Sequence, residues 1–299
     1  MIFSVLQKEL EKNGIEYKND FDLKTSSSFR IGGICRIAVF PKSTQQFATA
    51  VSLFDMAAED FCILGRGSNT LLFDGYINKG IIFTTNVNKV KISNTSVIAE
   101  AGAALMPLCS QSANEGLSGL EFACGIPGSV GGAVYMNAGA HGGSMSDVVI
   151  STRAYDRAQK SIITLTEHEF DYRKSVYSDN SSLICLEAIF YLRCDEPSEI
   201  RKRMKELLDS RRQKQPIEYP SAGSYFKRPN GDFAGRLIEI TGLKGVAIGG
   251  AEVSEKHAGF IINTGNATFE DVIRLEELIK KRVFEQTGVV LEREVEIIR

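Results

Sequence analysis

An excess of either charge is absent from this 299-residue chain: 35 lysines and arginines stand against 37 aspartates and glutamates, for a formal net charge of −2. Proteins that hold nucleic acid ordinarily carry a basic field, so nucleic acid is not expected as a partner. No stretch approaches the roughly 20 apolar residues that cross a bilayer. Residues 1–13 read as an amphipathic helix bearing Lys8, Glu9, Glu11 and Lys12, without the apolar core of a secretion signal. No membrane partner and a cytoplasmic location are therefore expected. The six cysteines (Cys35, Cys62, Cys109, Cys124, Cys185 and Cys194) include no Cys-x-x-Cys and have no histidine at ligand spacing, so no metal site is expected. They read as reduced thiols, and Cys35, Cys62 and Cys185 fall in apolar runs. Internal repeats and low-complexity tails are missing as well.

What remains is ordinary for a globular enzyme, with 43% apolar and 24% charged residues in a chain long enough for two cores. Short apolar runs predict strands at 34–40, 61–64, 80–84, 97–100, 148–155, 161–165 and 182–192. Helical patterns interrupt them at 43–57 and 105–115, the first with a capping box of Ser43 and Gln46 behind Pro41. A long basic helix follows from Pro197 to about residue 213, then a glycine-rich section, and then a helix over 268–287 between a Thr268 cap and Gly288. The last element reads as a strand over 289–298. This order suggests α+β rather than regular βαβ winding.

Residues 119–140 carry six glycines among 22 residues and are almost uncharged. Glycine costs conformational entropy wherever it is ordered, and its concentration here points to bare backbone laid against something large and flat. Such backbone can cradle a pyrophosphate. Neither Gly-x-Gly-x-x-Gly nor Gly-x-x-x-x-Gly-Lys-Ser/Thr occurs in the run, which sets it apart from the two common nucleotide loops. A second turn, Gly65-Arg-Gly-Ser-Asn69, follows the apolar run 61–64 about fifty residues upstream. Two such loops suit a cofactor with two ends, such as a dinucleotide.

The last hundred residues offer Ser224, in Pro220-Ser-Ala-Gly-Ser-Tyr-Phe-Lys-Arg-Pro229, and Glu294, in Leu291-Glu-Arg-Glu-Val-Glu-Ile297. The hydrolase elbow Gly-x-Ser-x-Gly is missing, so Ser224 reads either as a turn-capping hydroxyl or as a hydroxyl held to give a proton. Strand alternation would put Glu292, Glu294 and Glu296 on one face, which can equally be a solvated edge. Arg173, in Asp171-Tyr-Arg-Lys-Ser175, is the candidate cation, and His257 is a candidate site-lining residue or scaffold.

Taken in order, Gly65-Arg-Gly-Ser-Asn69, Gly125-Ile-Pro-Gly-Ser-Val-Gly-Gly-Ala133 with Asn137-Ala-Gly139, Tyr172-Arg173, Pro220-Ser-Ala-Gly-Ser224, Gly249-Gly-Ala-Glu-Val-Ser254, His257-Ala-Gly-Phe260 and Leu291-x-x-Glu294-Val295 closely resemble the UDP-N-acetylenolpyruvoylglucosamine reductase family of flavoproteins. The resemblance runs from about residue 24 to the C-terminus. It implies an α+β chain: an FAD-binding domain of the vanillyl-alcohol-oxidase type over residues 1–195, in two subdomains split near 85, and a smaller α+β substrate domain over 196–299. It also implies non-covalent FAD, NADPH as reductant, and reduction of the enolpyruvyl ether of UDP-N-acetylglucosamine in peptidoglycan synthesis, by a monomer.

By the same resemblance Arg173 is the cation facing the substrate carboxylate, Ser224 the proton donor, and Glu294 an acid or relay beside them. Cofactor contacts fall on Gly65, Arg66, Gly67, Ser68 and Asn69, on Gly125, Ile126, Pro127, Gly128 and Ser129, and on Gly131, Gly132, Asn137, Gly139 and Ala140. Tyr172, Lys214, Lys227 and Arg228 are the candidates for the substrate. The short interval between Arg173 and the strand near Ser182 resembles the subclass without a tyrosine-bearing lid insertion. The entry motif Ser26-Ser-Ser-Phe-Arg-Ile-Gly-Gly33 departs from the family's more usual His-Thr-Thr start. Two other readings stay open at this point. One is an oxidase of the same fold class with a covalently attached flavin, for which His141 is the nearby candidate. The other is a catalytically silent nucleotide-binding module.

Overall fold

The computed structural model describes residues 2–299, and the N-terminal helix runs over Ile2–Lys12, the first residue of the expected helix lying outside the described residues. The strands Ile34–Phe40, Phe61–Leu64 and Ser161–Leu165 fall where their apolar runs predict. Ser43 caps the helix Thr44–Met56 by accepting from the Gln46 amide at 3.2 Å. Only this half of the expected capping box forms. The Gln46 side chain instead accepts from the Lys42 amide and donates to the carbonyl of Gly14, which joins it to the end of the first helix.

The chain divides into two compact units, and neither is a continuous stretch. The first comprises Met1–Asn19, Ile37–Arg66 and Lys79–Ser210; the second comprises Asp20–Arg36, Gly67–Asn78 and Arg211–Arg299. The expected boundary at 195/196 thus differs from the units found. Phe29, Ile31 and Leu71, all from the first quarter of the sequence, are buried with Leu237, Leu275 and Ile279 from the last. Burial of those side chains, rather than sequence order, decides where each segment belongs.

In the first unit a five-stranded antiparallel sheet has the order Ser161–Leu165, Val149–Asp156, Leu183–Tyr191, Ser96–Glu100, Val90–Ser93. Ala154, Ala188 and Ala99 are fully buried on it. Small side chains let a glycine-bearing helix, Val130–Tyr135, approach closely: the Gly131 amide donates to the Ala101 carbonyl at 2.7 Å. Any Cβ at Gly131 would stand 2.8 Å from that of Ala101. The glycines of residues 119–140 therefore serve packing as well as exposed backbone.

In the second unit Ser221–Ser224, Phe260–Asn263, Ala251–Val253 and Ala247–Ile248 form a four-stranded antiparallel sheet. The helix Phe269–Thr287 buries Val272, Leu275, Ile279 and Val283 in the same core. Its ends are as expected: Thr268 and Asp271 close a capping box, and Gly288 takes the left-handed conformation at φ 73°. Asp74 adds an acceptor for the Phe269 amide at 2.8 Å.

The expected strand over 289–298 is shortened to Glu296–Ile298, which pairs in parallel with Thr70–Leu72. Just before it, residues 292–294 pair with residues 225–227. The Lys227 amide donates to the Glu292 carbonyl at 2.8 Å, and the Glu294 amide donates to the Tyr225 carbonyl at 2.9 Å. One extended segment thus changes partners midway, which its apolar alternation does not reveal. Leu291 and Val295 are buried as that alternation predicts.

Candidate functional site

Gly65, at the head of one glycine loop, meets Ser129 of the other within the first unit. A Cβ at Gly65 would lie 2.3 Å from Ser129 Oγ, so Gly65 is a position where close approach itself requires glycine. Ser129 is buried, and its hydroxyl accepts from the Gly132 amide at 3.4 Å, which turns the backbone from loop into helix. Gly128 contributes its carbonyl to the Leu105 amide at 3.1 Å. Gly125 and Ile126 are half-buried, Pro127 and Arg66 exposed. The result is a small-residue surface of fixed backbone, with no bulky side chain at Gly65, Gly128, Gly131 or Gly132. Its chemistry fits a flat ring system and a pyrophosphate, and so fits FAD.

Asn137 joins this surface to Arg173. Its backbone is left-handed at φ 42°, a conformation that asparagine tolerates better than most residues. Its Nδ2 donates to the Asp171 carbonyl at 3.0 Å, and its Oδ1 accepts from the Ser146 amide at 3.0 Å. Asp171 and Lys174 exchange backbone hydrogen bonds across a tight turn with Tyr172 and Arg173 at its tip. Arg173 is itself left-handed at φ 55°, an uncommon state for a long side chain. Its Nη2 lies 3.4 Å from the Gly139 carbonyl, and its guanidinium stacks on the Tyr172 ring at 5.2 Å. Ser175 locks the turn from behind by donating to the Tyr135 carbonyl at 2.7 Å. Gly139 and Ala140 begin a short hairpin closed by Gly143 and Ser144, and His141 is exposed at its tip.

In the second unit the segments that carry Ser224 and Glu294 are paired through Tyr225 and Phe226. The strand pairing shifts register between Ser221 and Ser224, and Gly223 in between is left-handed at φ 78°. That bulge re-aims the following side chain, and Ser224 is exposed whereas Tyr225 after it is 1% exposed. Glu294 is half-buried, tied to the neighbouring segment by its amide bond to the Tyr225 carbonyl. Asn69 reaches the same place: its Nδ2 donates to the Glu294 carbonyl at 3.1 Å. Gly67 and Ser68 precede it, Gly67 buried and left-handed at φ 59°, with Ser26 and Ser27 packed where a Cβ would stand.

The cations expected at the substrate, Lys227, Arg228 and Lys214, are divided in circumstance. Lys227 is ion-paired with exposed Glu292 at 3.4 Å. The Arg228 guanidinium stacks on Phe233 at 4.5 Å, and Lys214 is exposed in the last turn of the helix Pro197–Lys214. His257 serves as scaffold: its Nδ1 accepts from the Gly259 amide at 3.1 Å, and burial lowers its pKa and favours the neutral ring. The structure therefore gathers Gly65, Ser129, Asn137 and Arg173 in one unit, and Gly67, Asn69, Ser224 and Glu294 in the other. Glu276, a buried carboxylate beneath Tyr225, went unnoticed in the sequence. Its signal was there, since it interrupts the apolar stripe of its helix one turn after Val272. Among the described residues no group of three metal-binding side chains occurs, and no helix is long and apolar enough to cross a membrane.

Comparison with known proteins bears on both units. An FAD-binding domain model matches residues 35–166, and a model of the C-terminal domain of UDP-N-acetylenolpyruvoylglucosamine reductase matches residues 215–298. A reductase of that name from Pseudothermotoga lettingae is 44% identical over 96% of this chain and 100% of its own length. The crystal structure of the enzyme from Thermus caldophilus superposes with a TM-score of 0.79 at 31% identity, over 95% of this chain and 99% of that one. A glucose dehydrogenase, Phl p 4.0202, shares the fold over 66% of this chain and 44% of its own, at 15% identity and a TM-score of 0.51. With an FAD-binding domain at one end, the reductase's own C-terminal domain at the other and 44% identity between, this chain belongs to the UDP-N-acetylenolpyruvoylglucosamine reductase family.

Proposed function

We propose that this chain reduces the enolpyruvyl ether of UDP-N-acetylglucosamine to UDP-N-acetylmuramate in peptidoglycan synthesis, with NADPH as reductant and Arg173, Ser224 and Glu294 as its catalytic residues. The observation that supports the reading is that the segments carrying Ser224 and Glu294 are neighbours, joined by the 2.9 Å bond from the Glu294 amide to the Tyr225 carbonyl. Bound FAD supplies the relay of a hydride from NADPH to the terminal methylene carbon of the substrate.

The residues of the chain do the rest. Gly65, Arg66, Gly67, Ser68, Asn69, Gly125, Ile126, Pro127, Gly128, Ser129, Gly131, Gly132, Asn137, Gly139 and Ala140 are assigned to hold the cofactor, largely through backbone. Negative charge develops on the carbon next to the substrate carboxylate and spreads onto the carboxylate oxygens. A guanidinium placed in advance at those oxygens stabilises that charge most where water is excluded, and this is the role of Arg173. The left-handed turn and the Asn137 bond hold its main chain in place before substrate arrives. Ser224 Oγ donates the proton to the carbanionic carbon. A hydroxyl is a weak acid, but the acceptor is strongly basic and the bulge at Gly223 fixes where the hydroxyl points. Glu294 stands beside it as acid or relay. Lys214, Lys227 and Arg228 are assigned to the diphosphate, and Tyr172 to the substrate beside Arg173. The reading includes a monomer working in the cytoplasm, which sedimentation and cell fractionation test.

Anaerobic mixing tests the whole reading. NADPH should bleach the yellow protein, the UDP-linked enolpyruvyl sugar should restore the colour, and acid or heat should release the flavin. A flavin that stays attached after denaturation, or colour that the UDP-linked sugar fails to restore without oxygen, would overturn it.

A further inference from the structure

Glu276 lies on the buried face of the helix Phe269–Thr287, among Val272, Leu275 and Ile279, and is 3% exposed. A buried carboxylate is costly unless paired, and this one has three partners. Its Oε2 accepts from the Tyr225 hydroxyl at 2.8 Å and lies 3.1 Å from Arg293 Nη1, while its Oε1 takes the Lys280 ammonium. Burial works to raise the Glu276 carboxyl, but the bonds from Lys280 and Tyr225 and the charge of Arg293 outweigh it and hold it below the usual carboxylate range. The Tyr225 phenol, buried against that carboxylate, is pushed up and keeps its proton.

Two of those partners are the chain neighbours of the proposed catalytic pair: Tyr225 follows Ser224, and Arg293 precedes Glu294. By bonding both side chains, Glu276 ties together the two extended segments that carry Ser224 and Glu294. The main chain completes the ring through the bridge between Phe226 and Arg293 and the Glu294 to Tyr225 bond. Stability alone gives no reason for the charge, because apolar replacement of a buried ion pair is often neutral or stabilising.

We infer that Glu276 is a positioning residue for the proton-transfer pair: by holding Tyr225 and Arg293 together it fixes the register in which Ser224 and Glu294 meet the substrate. This rests on the reading that Ser224 and Glu294 act on the substrate.

The test uses the flavin-loaded protein and the variants E276Q, Y225F, S224A and E276Q/S224A, with the two half-reactions followed separately by anaerobic rapid mixing. E276Q and Y225F should keep their flavin and a cooperative melt. Their bleaching by NADPH should stay within about twofold of the parent, and their reoxidation by the UDP-linked enolpyruvyl sugar should slow about tenfold or more. In the S224A background, E276Q should add less than about twofold, because both changes act on one step. Equal slowing of both halves, full additivity with S224A, or parental reoxidation in folded E276Q and Y225F would overturn the inference while leaving the assignment of Ser224 intact. Reoxidation at the parental rate in S224A would overturn that assignment and the inference with it. Should E276Q fail to fold, Y225F removes one arm at unchanged volume and decides alone.

Discussion

Asn69 holds Glu294 by its side chain, Nδ2 donating to the Glu294 carbonyl at 3.1 Å, while the Asn69 carbonyl accepts from the Glu296 amide at 3.0 Å. A residue of the Gly65–Asn69 motif thus spends its side chain on the backbone of the proposed acid rather than only on a cofactor. Removing that bond costs about 1 kcal/mol. We expect N69A to retain its flavin, melt slightly lower, and slow reoxidation by the UDP-sugar several-fold. Loss of flavin on gel filtration would instead mark Asn69 as a cofactor ligand.

Ser224 has the sharpest expected signature. S224A should bleach with NADPH at nearly the parental rate and lose about 10²- to 10⁴-fold in reoxidation, the usual worth of a placed proton donor. S224C, which offers a more acidic group at the same site, should recover part of that loss. A parental reoxidation rate in S224A would remove Ser224 from the chemistry.

Gly65 should be intolerant of any side chain. A Cβ there meets Ser129 Oγ at 2.3 Å, so G65A must displace the hydroxyl that accepts from the Gly132 amide. Overpacking of this kind costs about 1–3 kcal/mol. The expected outcome is a lower flavin content by absorbance together with a lower melting temperature. G65A/S129G, which removes the clash, should restore part of both.

Stability should fall in mildly acid solution because of two histidines. Burial lowers the pKa of His168 and of His257 from the ordinary 6.5. As pH drops below 6.5 the unfolded chain takes up protons that the folded chain resists, so their contribution is complete above that value and is lost as pH falls through the lowered folded values. Melting temperature should therefore decline between about pH 7.5 and 5.5, above the range in which ordinary carboxylates titrate. H257N, whose side-chain oxygen can still accept from the Gly259 amide, should flatten the slope.

Much of this was legible from local pattern, and the failures share a cause. Thr268 and Gly288 announce their helix because caps are satisfied within one turn of chain. The glycines of 65–69 and 119–140 stand out in the sequence, and the packing of Gly65 on Ser129 and of Gly131 on Ala101 gives part of the reason. The last strand was overdrawn because its pairing changes at residue 295 from the 225–227 segment to Thr70–Leu72, and neither partner is near in sequence. The discontinuity of the units has the same cause: Phe29, Ile31 and Leu71 look like any apolar residues until their neighbours are known. Glu276 was readable, as a charge within an apolar stripe, but its meaning depends on Tyr225 and Arg293.

The parallel pairing of Thr70–Leu72 with Glu296–Ile298 has a temporal consequence. A ribosome releases residue 70 more than two hundred residues before its partner exists, and closing so long a loop is slow. The motif ending at Asn69 must wait, unanchored on that side, until the distant strand arrives. Apoprotein captured on stalled ribosomes short of residue 296 should therefore be unable to seat Glu294 against Asn69, however well its earlier portions have condensed.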